Sequence, residues 1–128
     1  MNPITRLILG SLAALALSGC AGNQHTMDTD MTHSIELLAF DGCPNSPVMR
    51  ESLTAAIQTA GGSFNEIDLA ALPDDDIRRG YGSPTILVDG HDLFNMPEPN
   101  SATMSCRIYA GGLPDTQTLI AKLSEIKP

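Results

Sequence analysis

The sequence predicts an α/β domain in which a βαβ unit is followed by a β-hairpin and a C-terminal helix, giving a four-stranded mixed sheet. Three observations carry this. A short apolar run, Ile35-Glu36-Leu37-Leu38-Ala39-Phe40, ends at Asp41-Gly42 and is followed by apolar residues at helical spacing. Thr85-Ile86-Leu87-Val88 is β-branched and apolar and runs into Asp89-Gly90, a strong hairpin turn signal. Asp115 then stands where it can cap a helix carrying Leu119, Ile120, Leu123 and Ile126 on one face.

The first run suits a buried strand that stops in a tight turn. After Cys43-Pro44-Asn45-Ser46-Pro47, Met49, Leu53, Ala56, Ile57 and Ala60 fall on one helical face, so the helix begins between Cys43 and Ser46. Pro44 or Pro47 fits the first turn, where a missing N–H costs nothing, and Gly61-Gly62 supplies the stop. Phe64, Ile67 and Leu69 mark a second short strand. Pro73-Asp74-Asp75-Asp76 followed by Ile77-Arg78-Arg79-Gly80 predicts one or two helical turns, with acids at the positive end and bases at the negative end. The three aspartates read as a solvated helix start rather than a metal cluster. Thr85 to Val88 is the next strand, and Asp92-Leu93-Phe94 returns as its partner. Residues 95–112, rich in Pro, Asn, Gly and Ser, form a long irregular loop containing Cys106, and such loops in small domains are usually functional or mobile. A strand-helix-strand unit makes a right-handed parallel crossover, to which the hairpin adds an antiparallel pair.

At 128 residues the chain has room for one domain, and only 4% of it is aromatic, so Leu, Ile, Val, Ala and Met must fill the core. The division expected is a leader at 1–20, a tether at 21–33 and a folded domain at 34–128. Arg6 precedes an apolar stretch from Leu7 to Leu17 that is too short to span a bilayer, which takes about 20 apolar residues. It ends in Leu17-Ser18-Gly19-Cys20, which resembles the bacterial lipobox. That resemblance implies diacylglycerol on the Cys20 thiol and residence in the cell envelope. With Ala21 rather than Asp next, it implies the periplasmic face of the outer membrane in a Gram-negative host. Residues 21–33 have the composition of a flexible tether, in which His25 and His33 read as exposed linker residues.

Beyond position 20 the chain carries fifteen acidic residues against six basic ones, a charge of −9. Nucleic acid is therefore not an expected partner, and membrane attachment has to come from the lipid. No phosphate loop, zinc spacing or serine nucleophile elbow occurs, His91 beside the turn reads as solvent-exposed, and neither a cofactor nor a bound metal is expected. Lipidation of Cys20 leaves two thiols, Cys43 and Cys106, in a compartment that permits disulfides.

A cysteine directly after the first core strand, with Gly82-Ser83-Pro84-Thr85 opening a later one, resembles thioredoxin. More narrowly, Phe40-Asp41-Gly42-Cys43-Pro44-Asn45, Asp92-Leu93-Phe94 and Ser105-Cys106-Arg107-Ile108-Tyr109 are similar to small bacterial thioredoxin-like proteins labelled alkylmercury lyase-like. The resemblance covers about residues 34 to 126. It implies a thioredoxin-like fold, a cis peptide before Pro84, a substrate-binding stretch at Ser83, Pro84 and Thr85, and a Ser83 backbone free to pair with a partner's extended chain.

Cys43 at a helix start is where oriented N–H groups stabilise a thiolate, lowering a thiol from about 8.5 into roughly the 3.5 to 7.5 range. The alternative for Cys43 is a small buried hydrophobe. Ser46 stands where Cys-X-X-Cys has its second cysteine, so the usual resolving thiol is absent. If the return strand runs parallel to the first, the loop with Cys106 begins beside Cys43. A bond between them would close a loop of about 60 residues and stabilise by about 4 kcal/mol on chain-entropy grounds. Structural disulfide and redox pair both stay open. Three functions follow as expectations. The first is thiol-disulfide exchange through Cys43 with Cys106, with protein or small-molecule thiols and disulfides as partners. The second is organomercurial cleavage, with two thiolates on mercury and Asp41 as proton donor. The third is a non-catalytic binding module.

Overall fold

In the computed structural model, which describes residues 33–126, strand β1 (Ile35–Ala39) lies at the centre of the assembly. Its five residues alternate across the sheet. Ile35, Leu37 and Ala39 face one side and Leu38 the other, and all four are buried. Helix α1 (Asn45–Ala60) covers the first side with Met49, Leu53, Ala56 and Ile57. Gly61, at φ 84°, ends the helix and its N–H closes on Ile57 O. β2 (Asn65–Asp68) returns parallel to β1 on its outer edge, completing the βαβ crossover.

β3 (Thr85–Val88) pairs antiparallel with the other side of β1, with Leu37 opposite Ile86. That register puts Ile86 and Val88 on the helix side and Leu87 beside Leu38 on the opposite side. β4 (His91–Asp92) pairs antiparallel with β3, so the sheet runs β2-β1-β3-β4 and is mixed. α2 (Thr116–Ser124) packs beside α1 through Leu119 and Leu123, and its first turn is capped by the Asp115 carboxylate accepting from Thr118 N at 2.8 Å. The opposite face is closed by short 3-10 turns at Leu69–Ala71 and Ile77–Tyr81, with Leu69 and Tyr81 buried against Leu38 and Leu87. The domain is therefore mixed α/β, with a four-stranded mixed sheet and two α-helices.

Four details depart from the sequence reading. Of the residues expected in the second strand only Ile67 lies in it: the strand begins at Asn65, after Phe64, and Leu69 falls outside because the Asp68 side chain accepts from Ala70 N at 2.9 Å and turns the chain. The helical turns after Pro73 are 3-10, started by Asp76 accepting from Arg78 N. The return strand stops at Asp92 rather than Phe94. Its buried carboxylate takes the N–H groups of Phe94 (3.0 Å) and Met96 (2.8 Å) and so bends the chain out of the ladder. His33 is not a tether residue: its ring nitrogen lies 2.5 Å from Asp89, whose other oxygen accepts from Ser34 N, tying the hairpin turn to the start of β1. The leader 1–20 with Cys20, and tether residues 21–32 with His25, lie outside the described residues. Among the described residues no helix is long and apolar enough to cross a membrane.

Candidate functional site

The turn that ends β1 fixes Cys43 at the mouth of α1. Its N–H bonds back to Phe40 O at 3.2 Å, and its carbonyl accepts from Ser46 N at 3.1 Å. Pro44 occupies the N-cap with helical angles and offers no side-chain cap, which leaves the Asn45 N–H of the first turn to the Cys43 sulfur. Cys43 is 1% exposed. Its surroundings are polar: the thiol donates to Ser83 O at 3.1 Å, and the Ser46 and Ser83 hydroxyls and the Asn45 N–H lie close to it.

Ser83 organises this end of the sheet. The Ser83–Pro84 peptide is cis. The Ser83 hydroxyl is 2.7 Å from the Ser46 hydroxyl and accepts from Phe40 N at 3.3 Å, while Ser46 also donates to Phe40 O at 3.2 Å. Ser46, which stands at the fourth position of the motif, therefore joins β1, α1 and the segment before β3 through one hydroxyl. Thr85 is fully buried, and its hydroxyl donates to Gly82 O at 2.9 Å.

The backbone of Ser83 is not free for a partner chain, contrary to the sequence-based expectation. Its N–H donates to Ser105 O at 2.9 Å and its carbonyl accepts from Arg107 N at 2.8 Å, forming a parallel bridge with Cys106. Both main-chain groups of Ser83 are thus taken by the chain's own loop. Gly82, at φ 78°, permits this approach, since a Cβ there would stand 3.1 Å from Ser105 O. Gly80 is tighter still: a Cβ there would lie 1.8 Å from Ser101 O.

The bridge turns Cys106 towards Cys43. Both are free thiols, so no disulfide joins them in this structure, one being buried and the other exposed. Burial opposes ionisation of Cys43. The hydrogen bond from the Cys106 thiol, the Asn45 N–H and the Ser83 and Ser46 hydroxyls outweigh it and bring its pKa below that of an ordinary cysteine. The contact with the Ser83 carbonyl works the other way, because only the protonated thiol can donate to it. Cys106 moves in the opposite sense: donating to the Cys43 sulfur holds its proton on. The two thiols thus share a proton unequally, with negative charge favoured at the helix mouth.

Behind the bridge lies a buried ion pair. Arg107 meets Asp92 two-pronged, at 2.5 and 3.0 Å, with their side chains 9% and 0% exposed. Arg107 also donates to Thr85 Oγ1 at 3.1 Å and lies 4.2 Å above the Tyr109 ring. Tyr109 donates to Pro84 O at 2.8 Å and meets Phe94 edge-on at 5.5 Å. Burial pushes the Tyr109 hydroxyl up to about 12, so it stays a donor at any physiological pH. Arg107 and Tyr109 therefore clamp the loop to Asp92, Thr85 and Pro84 just after the cysteine.

Of the residues singled out in the sequence, Cys43, Cys106, Ser83, Pro84 and Thr85 are brought together. Asp41 is exposed in the preceding turn, where its charge acts on the Arg50 guanidinium. Asp92, Arg107 and Tyr109 were visible only as parts of the quoted motifs, with no role attached. An arginine directly after a cysteine in an irregular loop is the one signal that could have marked the clamp. Among the described residues no group of three or more His, Cys, Asp or Glu is placed to hold a metal ion. Two open hollows, one of about 320 Å³ between β4 and α2 and one of about 290 Å³ beside Tyr109, lie away from the thiols. Comparison with protein-family models, curated proteins and solved structures finds no match to this chain.

Proposed function

We propose that this chain is a thioredoxin-like envelope lipoprotein, anchored through lipid on Cys20, that exchanges thiols and disulfides through Cys43 and Cys106. The observation that carries the reading is a thiol at a helix mouth, beside a cis-proline, facing a second free thiol. The sheet order, with a βαβ unit on one edge and an antiparallel hairpin on the other, supports the fold assignment. A helix mouth favours thiolate, and thiolate is the exchanging species. The lipobox-like leader supports residence in the cell envelope, where disulfides persist. Its partners are protein or small-molecule thiols and disulfides. Organomercurial cleavage has less support, because its proton donor, Asp41, faces solvent in the turn.

The test is the midpoint potential of the Cys43–Cys106 couple in graded glutathione buffers, followed by mass. Exchange predicts a reversible two-electron midpoint above roughly −300 mV, in the range of exchanging proteins rather than structural disulfides. A bond that resists reduction throughout that range, or that never forms, defeats the reading.

A further inference from the structure

The two sulfurs differ in access, and access decides which one a partner meets first. Cys43 is 1% exposed, under Cys106 and against the Ser83 carbonyl. Cys106 is exposed, on an irregular segment held by the main-chain bridge to Ser83 and by the Arg107–Asp92 pair. An extended polypeptide seeking the Ser83 backbone finds both its N–H and its C=O already used by Ser105 and Arg107. A reagent that needs no backbone pairing has an open approach to the outer sulfur.

We infer that low-molecular-weight thiols and disulfides, rather than extended polypeptides, are the partners of this site, and that they enter at Cys106, with Cys43 as the inner sulfur. The inference rests on the exchange reading and adds both the order of events and the partner class. With the dithiol, Cys106 passes its proton along its hydrogen bond to Cys43, and the Cys106 thiolate so formed bonds one sulfur of a small disulfide RS–SR; the RS⁻ that leaves takes that proton from Cys43. The Cys43 thiolate then attacks the Cys106 sulfur, forms the internal disulfide and expels the second RS⁻. Starting from the thiol–thiolate pair, the one shared proton ends on the first RSH, and the second RS⁻ leaves as the anion or takes a proton from water. The small disulfide gains two electrons, and the protein loses two. In reverse, RS⁻ attacks Cys106 and Cys43 leaves as thiolate. A leaving thiol departs faster the lower its pKa, and the helix mouth lowers that of Cys43, so this direction is helped by the same geometry. The usual order, with the helix-start cysteine attacked first, is inverted here because the loop covers it.

The experiment uses the chain with Cys20→Ser in every arm, so that only two thiols report. Glutathione disulfide is the probe at pH 8, and intact and peptide mass are read over time. The inference expects Cys43→Ser to accumulate one glutathionyl adduct on Cys106, Cys106→Ser to react at least tenfold more slowly, and the parent to pass to its internal disulfide. In the parent itself, substoichiometric iodoacetamide labels Cys106 before Cys43, a reading that needs no site variant to fold. The oxidised parent is reduced by glutathione at least tenfold faster than by an unfolded, cysteine-containing polypeptide at equal thiol concentration. Adduct formation on Cys43 as fast as on Cys106, or first labelling at Cys43, overturns the order while leaving exchange intact. Equal rates with the polypeptide overturn the partner class. Failure of the parent to form an internal disulfide at all overturns both this inference and the exchange reading.

Discussion

The two cysteines are held by different physics. Cys43 follows a strand and precedes a helix whose buried residues recur at regular spacing, so hydrophobic burial on one face of the sheet sets its position. Cys106 belongs to a segment without helix or strand, held by one isolated bridge, a buried ion pair and two glycine contacts. The first kind of positioning tolerates apolar substitution of similar volume, because burial is non-directional. The second depends on directional bonds among buried polar groups, where loss of one partner strands the other. Damage to the core should therefore lower stability while leaving the geometry of the thiol pair intact, whereas damage to the clamp should separate the thiols.

The largest effect sharpens that contrast directly. Arg107→Ala leaves the Asp92 carboxylate, fully buried, without its counter-charge, and a broken buried pair costs about 3–5 kcal/mol. The same change removes the side-chain anchor behind the main-chain bridge at Ser83, so the loop should open more often and uncover Cys43. Urea unfolding should show the stability loss, and alkylation of Cys43 under native conditions should accelerate at least tenfold. Leu53→Ala, in the α1 core, should cost about 2–5 kcal/mol with no comparable gain in Cys43 reactivity at low denaturant. Equal reactivity gains in the two variants would dissolve the distinction.

Gly80→Ala is a smaller wedge driven into the same loop. Its added carbon would meet Ser101 O at 1.8 Å, and a backbone oxygen cannot swing aside as a flexible side chain can. A cost of about 1–3 kcal/mol is expected, the range for overpacking, with the 95–105 segment displaced. Amide hydrogen exchange should rise at Ser83 and Arg107 more than in α1. Unchanged protection at those two amides would mean that Gly80 does not help to seat the loop.

This division also explains what was legible beforehand. The order of elements, the helix start at Asn45 and the Asp115 cap follow from periodicity and capping chemistry, which are local. The meeting of Cys43 with Cys106 was legible only through topology, as a return strand delivering the loop to the right edge. Occupation of the Ser83 backbone by Ser105 and Arg107 was not legible, because nothing in the residue types of positions 105–107 specifies a partner for their main-chain groups. The same holds for the Arg107–Asp92 pair: a lone acid after a turn and a lone base fifteen residues on read as surface charges until the fold buries them. Asp92 ends β4 for that same reason, which is why the return strand is shorter than its apolar residues suggest.

The smallest effect tests the unequal sharing of the proton, and its sign follows from linkage. An unfolded cysteine titrates near 8.5. Cys43 is depressed in the folded protein, so the stability it adds is absent at low pH, grows as pH rises through its folded value and is complete above about 8.5. Cys106 is raised, so its contribution is full below about 8.5 and is lost as pH climbs through its folded value. The two slopes oppose each other, and the thiol pair stabilises most near the ordinary thiol pKa. Under reducing conditions the urea midpoint of the parent should therefore show a shallow maximum there, which the Cys43→Ser, Cys106→Ser double variant lacks. Thiolate absorbance at 240 nm should rise in two steps, one on each side of about 8.5, and Cys106→Ser should move the lower step upward by removing the bond that holds the Cys43 charge. A single step at the ordinary value in the parent would mean that the helix mouth and the facing thiol leave the Cys43 proton where water would.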